Sequence, residues 1–252
     1  MISAIVVSHG HRAELAASLP AVAPHVDELV VIANVPGSEP EDACGGRVLR
    51  NERPLSYAAN LNHGIAATSG DLVLVNNPDA VPEPGAIATL AEFMAEHPRC
   101  GIAGPQLRDP SGAWQPSRRR FPTVGGTLVR RTPLRRLFPP LERQRAHYNL
   151  DERPSDPVEA DWMLGGSLLL RRAMLDELGG YDPGFRMYGE EIDLAYRAAK
   201  AGWERWYVPQ AVVRHRWDRL TDERFLTRRT LWHWRSVLRF VRKHPESLFA
   251  RG

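Results

Sequence analysis

The stretch Asp71-Leu72-Val73-Leu74-Val75-Asn76-Asn77-Pro78-Asp79-Ala80 decides the fold. Four apolar residues in a row, with no polar residue alternating between them, describe a strand covered on both faces. Asn77-Pro78 then stops it, because proline cannot continue the ladder, and Asp79 is left at the strand's carboxyl end. The same pattern recurs upstream. Ile2-Ser3-Ala4-Ile5-Val6-Val7 is closed by Ser8-His9-Gly10-His11, Leu29-Val30-Val31-Ile32-Ala33 ends at Asn34, and Val48-Leu49-Arg50 is a candidate third run. Helical spacing fills the gaps at residues 13–19 and 56–67. Strands alternating with helices predict an α/β fold, with a mostly parallel, Rossmann-like central sheet flanked by helices. Such sheets bind ligands at the carboxyl ends of their strands, where Ser8, Asn34 and residues 76–79 fall.

Downstream, residues 84–97 read as a helix with Leu90, Phe93 and Met94 at core spacing. Residues 105–157 are rich in Pro, Gly and Arg, and an ordered apolar pattern follows, so they read as an insertion. The run 161–170 is strand-like with a Gly165-Gly166 break, and a helix at 172–178 follows it. Tyr188-Gly189-Glu190-Glu191-Ile192-Asp193 opens another helix, and strand-like pieces lie at 206–208 and 212–215. Residues 227–244 carry Leu231, Trp234, Leu238 and Val241 at a 3-4-3 spacing, the stripe of an amphipathic helix.

An apolar content of 43% and a charged content of 25% suit a globular domain able to bury a large core. Two cysteines without CxxC spacing exclude a disulfide framework and a structural zinc, and point to a reducing compartment. The chain starts on a strand, with no basic start and apolar core of a signal peptide, so a cytoplasmic location is expected. The net charge of +3 is unevenly spread: residues 117–145 hold nine arginines against Glu142, and residues 214–252 hold eleven Lys/Arg against four acids. Basic surface gathered in two segments fits an anionic partner, while a solvated arginine-rich loop fits equally.

Three carboxylates in a first helical turn complement the helix dipole, which is a sufficient reason for them taken alone. Glu190 and Asp193 are three apart and share a face, with Glu191 turned about 100° away. Together with Asp79 they allow a second reading, one acid beside a metal and another free to take a proton. A carboxylate at a sheet's active edge suits a hard divalent cation that also takes phosphate oxygens, and Asn-Pro-Asp is good turn chemistry too. His215 ends a strand; its imidazole is either structural or a ligand that suits Mn²⁺ better than Mg²⁺. Asn60 fits either a cap or a contact to a base or ribose edge, and Gly165-Gly166 either substrate room or a strand break. With neither G-x-G-x-x-G after the first strand nor G-x-x-x-x-G-K-[ST] anywhere, nicotinamide enzymes and P-loop NTPases are excluded.

Taken in order, the motifs resemble the family 2 glycosyltransferases of the GT-A fold, especially bacterial rhamnosyltransferase-like members. The matching pieces are Val6-Val7-Ser8; Tyr57-Ala58-Ala59-Asn60 with Gly64-Ile65; Gly70 through Ala80; and Asp161-Trp162 with Gly165-Gly166-Ser167-Leu168-Leu169-Leu170. They continue through Gly179-Gly180-Tyr181-Asp182, Tyr188-Gly189-Glu190-Glu191-Ile192-Asp193-Leu194, Ala201-Gly202-Trp203 and His215. The resemblance covers residues 2–217 and implies one GT-A domain. Its parts would be a nucleotide-sugar half at 1–104, the basic insertion at 105–157, an acceptor and catalytic half at 158–217, and a basic amphipathic helix within 218–252.

The resemblance also implies roles. Ser8, Asn34, Asn60, Asn77, Asp79, Gly165 and Gly166 would bind a nucleotide-diphosphate-sugar donor. Asp79 and His215 would hold Mg²⁺ or Mn²⁺, with Asn77 in the first position of the family's Asp-x-Asp motif. Asp161 and Trp162 would meet the acceptor, a glycan on a polyprenyl diphosphate or in the cell envelope. The catalytic group would be Glu191, with Glu190 and Asp193 beside it. Where the family places Asp as base this chain has Glu191, whose extra methylene moves the carboxylate about 1.5 Å outward, so the choice between Glu190 and Glu191 stays open. A second departure is Asn34 followed by Val-Pro-Gly-Ser where an acid or amide followed by Ser is usual.

A lipid-linked acceptor would bring the protein to the inner membrane face. The tail helix, with Arg228, Arg229, Arg235, Arg239, Arg242 and Lys243 around Trp232, Trp234 and Phe240, has the composition of an interfacial helix. Packing on its own domain or on a second subunit is the competing reading. Other classes are a GT-A-like nucleotidyltransferase, for which His11-Arg12 is a poor diphosphate loop, and a catalytically inactive nucleotide-sugar binder. A nucleic-acid-binding protein leaves Asp79 and the acidic helix without a task, so nucleic acid is not an expected partner.

Overall fold

A computed structural model describes residues 1–121, 152–185, 189–216 and 228–248. Most of the arginine-rich segment, Tyr188 and the side chains of Arg228, Arg229, Leu231 and Trp232 lie outside the described residues. The strands are β1 (Ile2–Ser8), β2 (Glu28–Ala33), β3 (Arg47–Arg50), β4 (Leu72–Asn76), β5 (Ala80–Pro82), β6 (Cys100–Arg108), β7 (Trp114–Gln115), β8 (Arg118–Arg119), β9 (Val158–Glu159), β10 (Trp162–Met163), β11 (Ser167–Arg171) and β12 (Glu204–His215). The helices are α1 (Arg12–Val22), α2 (Tyr57–Ala66), α3 (Ala86–Glu96), α4 (Arg172–Leu178), α5 (Glu190–Lys200) and α6 (Arg228–Lys243).

The main sheet runs in the order β3-β2-β1-β4-β11-β6-β12-β5. Strands β1, β2, β3 and β4 are mutually parallel, β12 is parallel to β6, and β11 enters antiparallel between β4 and β6. Two antiparallel joins on β11 make β6 and β12 parallel to β4. The carboxyl ends of β1, β2, β4 and β12 and the amino end of β11 therefore share one edge. The mostly parallel α/β sheet expected from the apolar runs is what forms.

Alternate residues of each strand feed opposite faces. Ile5, Val7, Val30, Ile32, Val73 and Val75 pack with Leu61 and Ile65 of α2, Met174 of α4 and Leu194 of α5. Ala4, Val6, Leu29, Val31 and Leu74 pack with Leu15 and Leu19 of α1 and Leu90 and Met94 of α3. The period-two geometry of a strand sorts an unbroken apolar run onto both faces. Each large side chain buried there contributes roughly 1.5–3 kcal/mol. On α2, Ser56 caps the helix by accepting from Ala59 N at 3.2 Å. Gly64 lets α2 approach β1: a Cβ there would lie 2.5 Å from Ile5 Cγ2.

Several local expectations shift. The run 161–170 divides: β10 pairs with β8 in a separate two-stranded sheet, and only β11 joins the main one. The pieces at 206–208 and 212–215 are one strand, β12, with a register break between Val208 and Val212. Strand β5 is new. Its three residues pair antiparallel with β12, in the register Ala80↔His215, Arg214↔Val81 and Val213↔Pro82. The proline sits at its last position, on an edge strand. Among the described residues no helix is long and apolar enough to cross a membrane.

Helix α6 packs on its own chain, through a different face from the one its spacing predicts. Ser236, Phe240 and His244 are buried, whereas Leu238 is 52% exposed. Phe240 meets the Tyr196 ring edge-on at 5.4 Å, and His244 lies 4.6 Å from it. The rotation follows from charge. Arg239 and Lys243 reach Asp182 at 2.7 and 2.8 Å, and Lys243 and His244 reach Asp193 at 2.9 and 2.8 Å. Burial alone would raise the Asp182 carboxyl, but hydrogen bonds from Arg239 and Lys243 outweigh it and hold the group well below the usual carboxylate range.

Candidate functional site

The edge where the strands end gathers the candidate residues. Asn76 Nδ2 donates to the carbonyls of Asn77 and Ala80, both at 2.9 Å, and Ala80 N donates to Asn77 O at 3.0 Å. These bonds fix the turn that presents Asp79. Because Ala80 pairs with His215, the turn lies over the end of β12, and Asp79 Oδ1 comes within 3.7 Å of His215 Nε2. Asn77 joins them: its Nδ2 is 3.4 Å from His215 Nε2, and its Oδ1 accepts from Tyr57 Oη at 2.9 Å. Asn77 N donates to Gly166 O at 2.9 Å, which ties the turn to the amino end of β11.

His215 is oriented from behind. Its Nδ1 lies 3.3 Å from Gln115 Oε1, a carbonyl oxygen that only accepts, so Nδ1 carries the proton and Nε2 presents its lone pair toward Asp79. Burial lowers the imidazole's affinity for a proton, and the Asp79 charge opposes this only in part, so the ring stays neutral. A neutral imidazole and one carboxylate at one edge fit a divalent cation that completes its shell with diphosphate oxygens. Among the described residues no group of three or more His, Cys, Asp or Glu side chains could hold a metal without such help.

The acidic helix closes the site from the other side. Gly189 adopts φ 96° at its start, a left-handed conformation that glycine alone takes without strain. Gly165 lies beneath Glu191: a Cβ on it would sit 3.7 Å from Glu191 Oε1. A Cβ on Gly166 would meet the His215 ring at 3.2 Å. Adjacent glycines therefore separate Glu191 from the Asp79–His215 pair, and at Gly166 a side chain would press on the imidazole. Glu190 is buried and Glu191 keeps partial exposure. Burial raises both carboxyls above the usual range, and for Glu190 the Glu191 charge adds to the effect. Each keeps a buried Oε2 without a hydrogen-bond partner among the described residues. Of the two, Glu190 is held further above the usual range. Tyr57 and Tyr181 complete the wall; burial raises both phenols, and the Glu190 and Glu191 charges add to it, so both remain neutral.

Other expected site residues are placed differently. Asp193 does not join the acids. It is fully buried against Arg197 Nε at 2.8 Å, Lys243 and His244, and it anchors α6 to α5. Trp162 is only 9% exposed, packs in the core and donates Nε1–H to Arg120 O at 2.7 Å. Asp161 accepts from Phe121 N at 2.7 Å and holds the end of the segment beyond β8. Ser8 is buried at the end of β1, 3.4 Å from His11 N. Asn34 and Asn60 are buried in an amide network: Asn51 Nδ2 donates to both side-chain oxygens, at 2.9 and 2.6 Å, and Asn34 also accepts from Leu55 N at 2.8 Å. The network shapes the 51–56 loop above the sheet edge.

Tyr57, Gln115 and Asn51 are site-shaping residues to which the sequence reading gave no role. Tyr57 lay inside a quoted motif, beside the asparagine that drew attention. Gln115 sits in a segment read as loop, where nothing in the sequence points to a histidine a hundred residues away.

Comparison with known proteins is consistent with this arrangement. Residues 21–235 match the family described as "Glycosyltransferase like family 2". The N-acetylglucosaminyl-diphospho-decaprenol L-rhamnosyltransferase of Mycobacterium tuberculosis is 34% identical over 184 residues, 66% of this chain and 59% of that protein. Rhamnosyltransferase WbbL of Escherichia coli is 33% identical over 34% of this chain and 32% of its own length. This chain thus spans well under two thirds of the curated relatives it matches. Among solved structures, GalNAc-T7 with UDP, GalNAc and Mn²⁺ superposes over 99% of this chain and 50% of its own, with TM-score 0.69 and 19% identity. A mannosyltransferase from Pyrobaculum calidifontis in complex with GDP-Man and Mn²⁺ covers 100% of this chain and 65% of its own, with TM-score 0.62 and 14% identity. At these identities the likeness is one of fold, the GT-A fold.

Proposed function

The chain belongs to the glycosyltransferase-like family 2, and from that premise we propose that it transfers a sugar, with inversion, from a nucleoside-diphosphate sugar to a hydroxyl of a lipid-linked or cell-envelope glycan. Rhamnose is the sugar favoured by the two relatives named as rhamnosyltransferases. The observation that carries the reading is the pair Gly165-Gly166. It puts Glu191 on one side and Asp79 with His215 on the other, so that a carboxylate and the imidazole–carboxylate pair face one glycine step.

In this mechanism Glu191 accepts the proton of the acceptor hydroxyl. The oxygen attacks the anomeric carbon as the bond from that carbon to the diphosphate oxygen breaks, and the electron pair leaves with the nucleoside diphosphate. One displacement inverts the anomeric centre. Glu190, raised by burial and by the Glu191 charge, would hold the proton and leave Glu191 charged until the acceptor arrives. Asp79 and His215 would hold Mg²⁺ or Mn²⁺, with Gln115 fixing the imidazole's tautomer. When bound, the cation stabilises negative charge on the departing diphosphate. Asn77, oriented by Tyr57, holds the turn in place, and the Asn34–Asn51–Asn60 network shapes the loop for the nucleotide. A polyprenyl-diphosphate acceptor would place the protein peripherally on a membrane surface.

The test is transfer itself: nucleoside-diphosphate-rhamnose and a prenyl-diphosphate-linked sugar are incubated with Mn²⁺, and the product linkage is read by NMR. Inverted product from the wild type and none from Glu191→Gln is the expected result. Retained configuration, or equal turnover by the variant, would overturn the assignment.

A further inference from the structure

We infer that the cleft between α6 and the 182–184 turn is a binding site for the diphosphate of a prenyl-linked acceptor, an inference that rests on the transferase reading above. The cleft has a volume of about 660 Å³ and is lined by one acid, Asp182, against four cations of α6. Two of these, Arg239 and Lys243, are engaged by Asp182. Arg235 and Arg242, both exposed, have no acidic partner among the described residues.

Their placement suits an amphiphile with an anionic head. Arg235, Leu238, Arg239 and Arg242 fall at i, i+3, i+4 and i+7, one stripe of the helix. Arg235 and Arg242 are about 10.5 Å apart along the axis, so their long side chains can converge on an anion from both sides. Guanidinium groups take phosphoryl oxygens in bidentate pairs. Leu238 lies between them, 52% exposed and one of few large apolar side chains so exposed among the described residues. A free phosphate makes no use of that leucine; a prenyl chain beside its diphosphate does.

The location links this cleft to the reaction. Ser236, next to Arg235, packs against the start of the base-bearing helix: a Cβ on Gly189 would lie 3.5 Å from Ser236 Cβ. Ser56 Oγ, the cap of α2, donates to Pro183 O at 3.3 Å. The cleft therefore flanks the elements that carry Glu191 and Tyr57.

The experiment titrates farnesyl diphosphate, below its aggregation concentration, into full-length protein saturated with nucleoside diphosphate and Mn²⁺, so that the donor subsite is occupied. The wild type is compared with the double variant Arg235→Ala/Arg242→Ala, whose exposed, unpaired side chains leave the fold unchanged. Isothermal calorimetry should show binding by the wild type and a loss of at least about tenfold in the variant. Inorganic diphosphate should bind more weakly than farnesyl diphosphate. Equal affinity of wild type and variant, equal affinity for the two ligands, or no binding by a wild type that still takes nucleotide would each overturn the proposal. So would phosphatidylglycerol vesicles that compete with the same arginine dependence, since the surface would then be a general membrane contact. Failure of nucleotide binding itself would count instead against the transferase reading.

Discussion

His215 Nε2 faces Asp79 Oδ1 at 3.7 Å because the residue after Asp79, Ala80, is the ladder partner of His215 itself. A three-residue strand thereby brings two distant loop ends side by side. The Gly165-Gly166 step then sets that pair against Glu191.

If Glu191 is the base, Glu191→Gln should lower kcat by about 10²–10⁴-fold, the usual contribution of a positioned general base, and leave the donor KM little changed. Glu190→Gln should cost far less, because an amide reproduces the donor of a protonated acid. Steady-state kinetics of both variants separates the roles; the reverse order would make Glu190 the base.

The raised carboxyl of Glu190 carries a sign for stability. The folded protein holds this proton more tightly than the unfolded chain, so its contribution is fully present below the unfolded value and is lost as pH rises through the folded one. Glu190→Gln, which cannot ionise, should flatten that decline. Melting temperature measured from acid to mildly alkaline pH checks it. A decline as steep in the variant as in the wild type would exclude Glu190 as its source.

Gln115 would act on a bound cation only through His215. Gln115→Leu removes the acceptor for Nδ1–H and should weaken Mn²⁺ binding, measured in the presence of nucleoside diphosphate, by roughly 10–100-fold. The fold should persist, since Gln115 lies on the two-residue strand β7.

Asp193 is a prediction about stability. Removing a fully buried carboxylate that meets Arg197, Lys243 and His244 strands charge in a low-dielectric site, so Asp193→Ala should destabilise by about 3 kcal/mol. Urea unfolding measures this directly. A loss of activity in a variant of wild-type stability would instead place Asp193 in the chemistry.

What the sequence made legible was whatever follows from short-range pattern. Unbroken apolar runs such as Leu72-Val73-Leu74-Val75 marked a sheet covered on both faces, and the polar residues ending them marked its active edge. Strand β5 was not legible: three residues ending in proline look like a turn, and only pairing with β12 makes them a strand. The partners of Trp162, Asn60 and Asp193 were not legible for one reason. Residue type gives the chemistry a side chain is capable of, while its partners, Arg120 O, Asn51 and His244, are brought in by tertiary folding. The face of α6 was misjudged because the 3-4-3 stripe counts apolar side chains alone. Its docking is directed by ion pairs to Asp182 and Asp193.

The account rests most directly on Asp79 as part of a metal-dependent donor site. Thermal unfolding with a panel of nucleoside diphosphates and nucleoside-diphosphate sugars, with and without Mn²⁺ or Mg²⁺, tests it on wild type and Asp79→Ala. A ligand at about 100 times its dissociation constant should add roughly 2.7 kcal/mol of stability. Stabilisation by one nucleotide family that requires the cation and vanishes in Asp79→Ala is the predicted result. Stabilisation that survives the substitution, or none from any nucleotide in a well-folded sample, would contradict it.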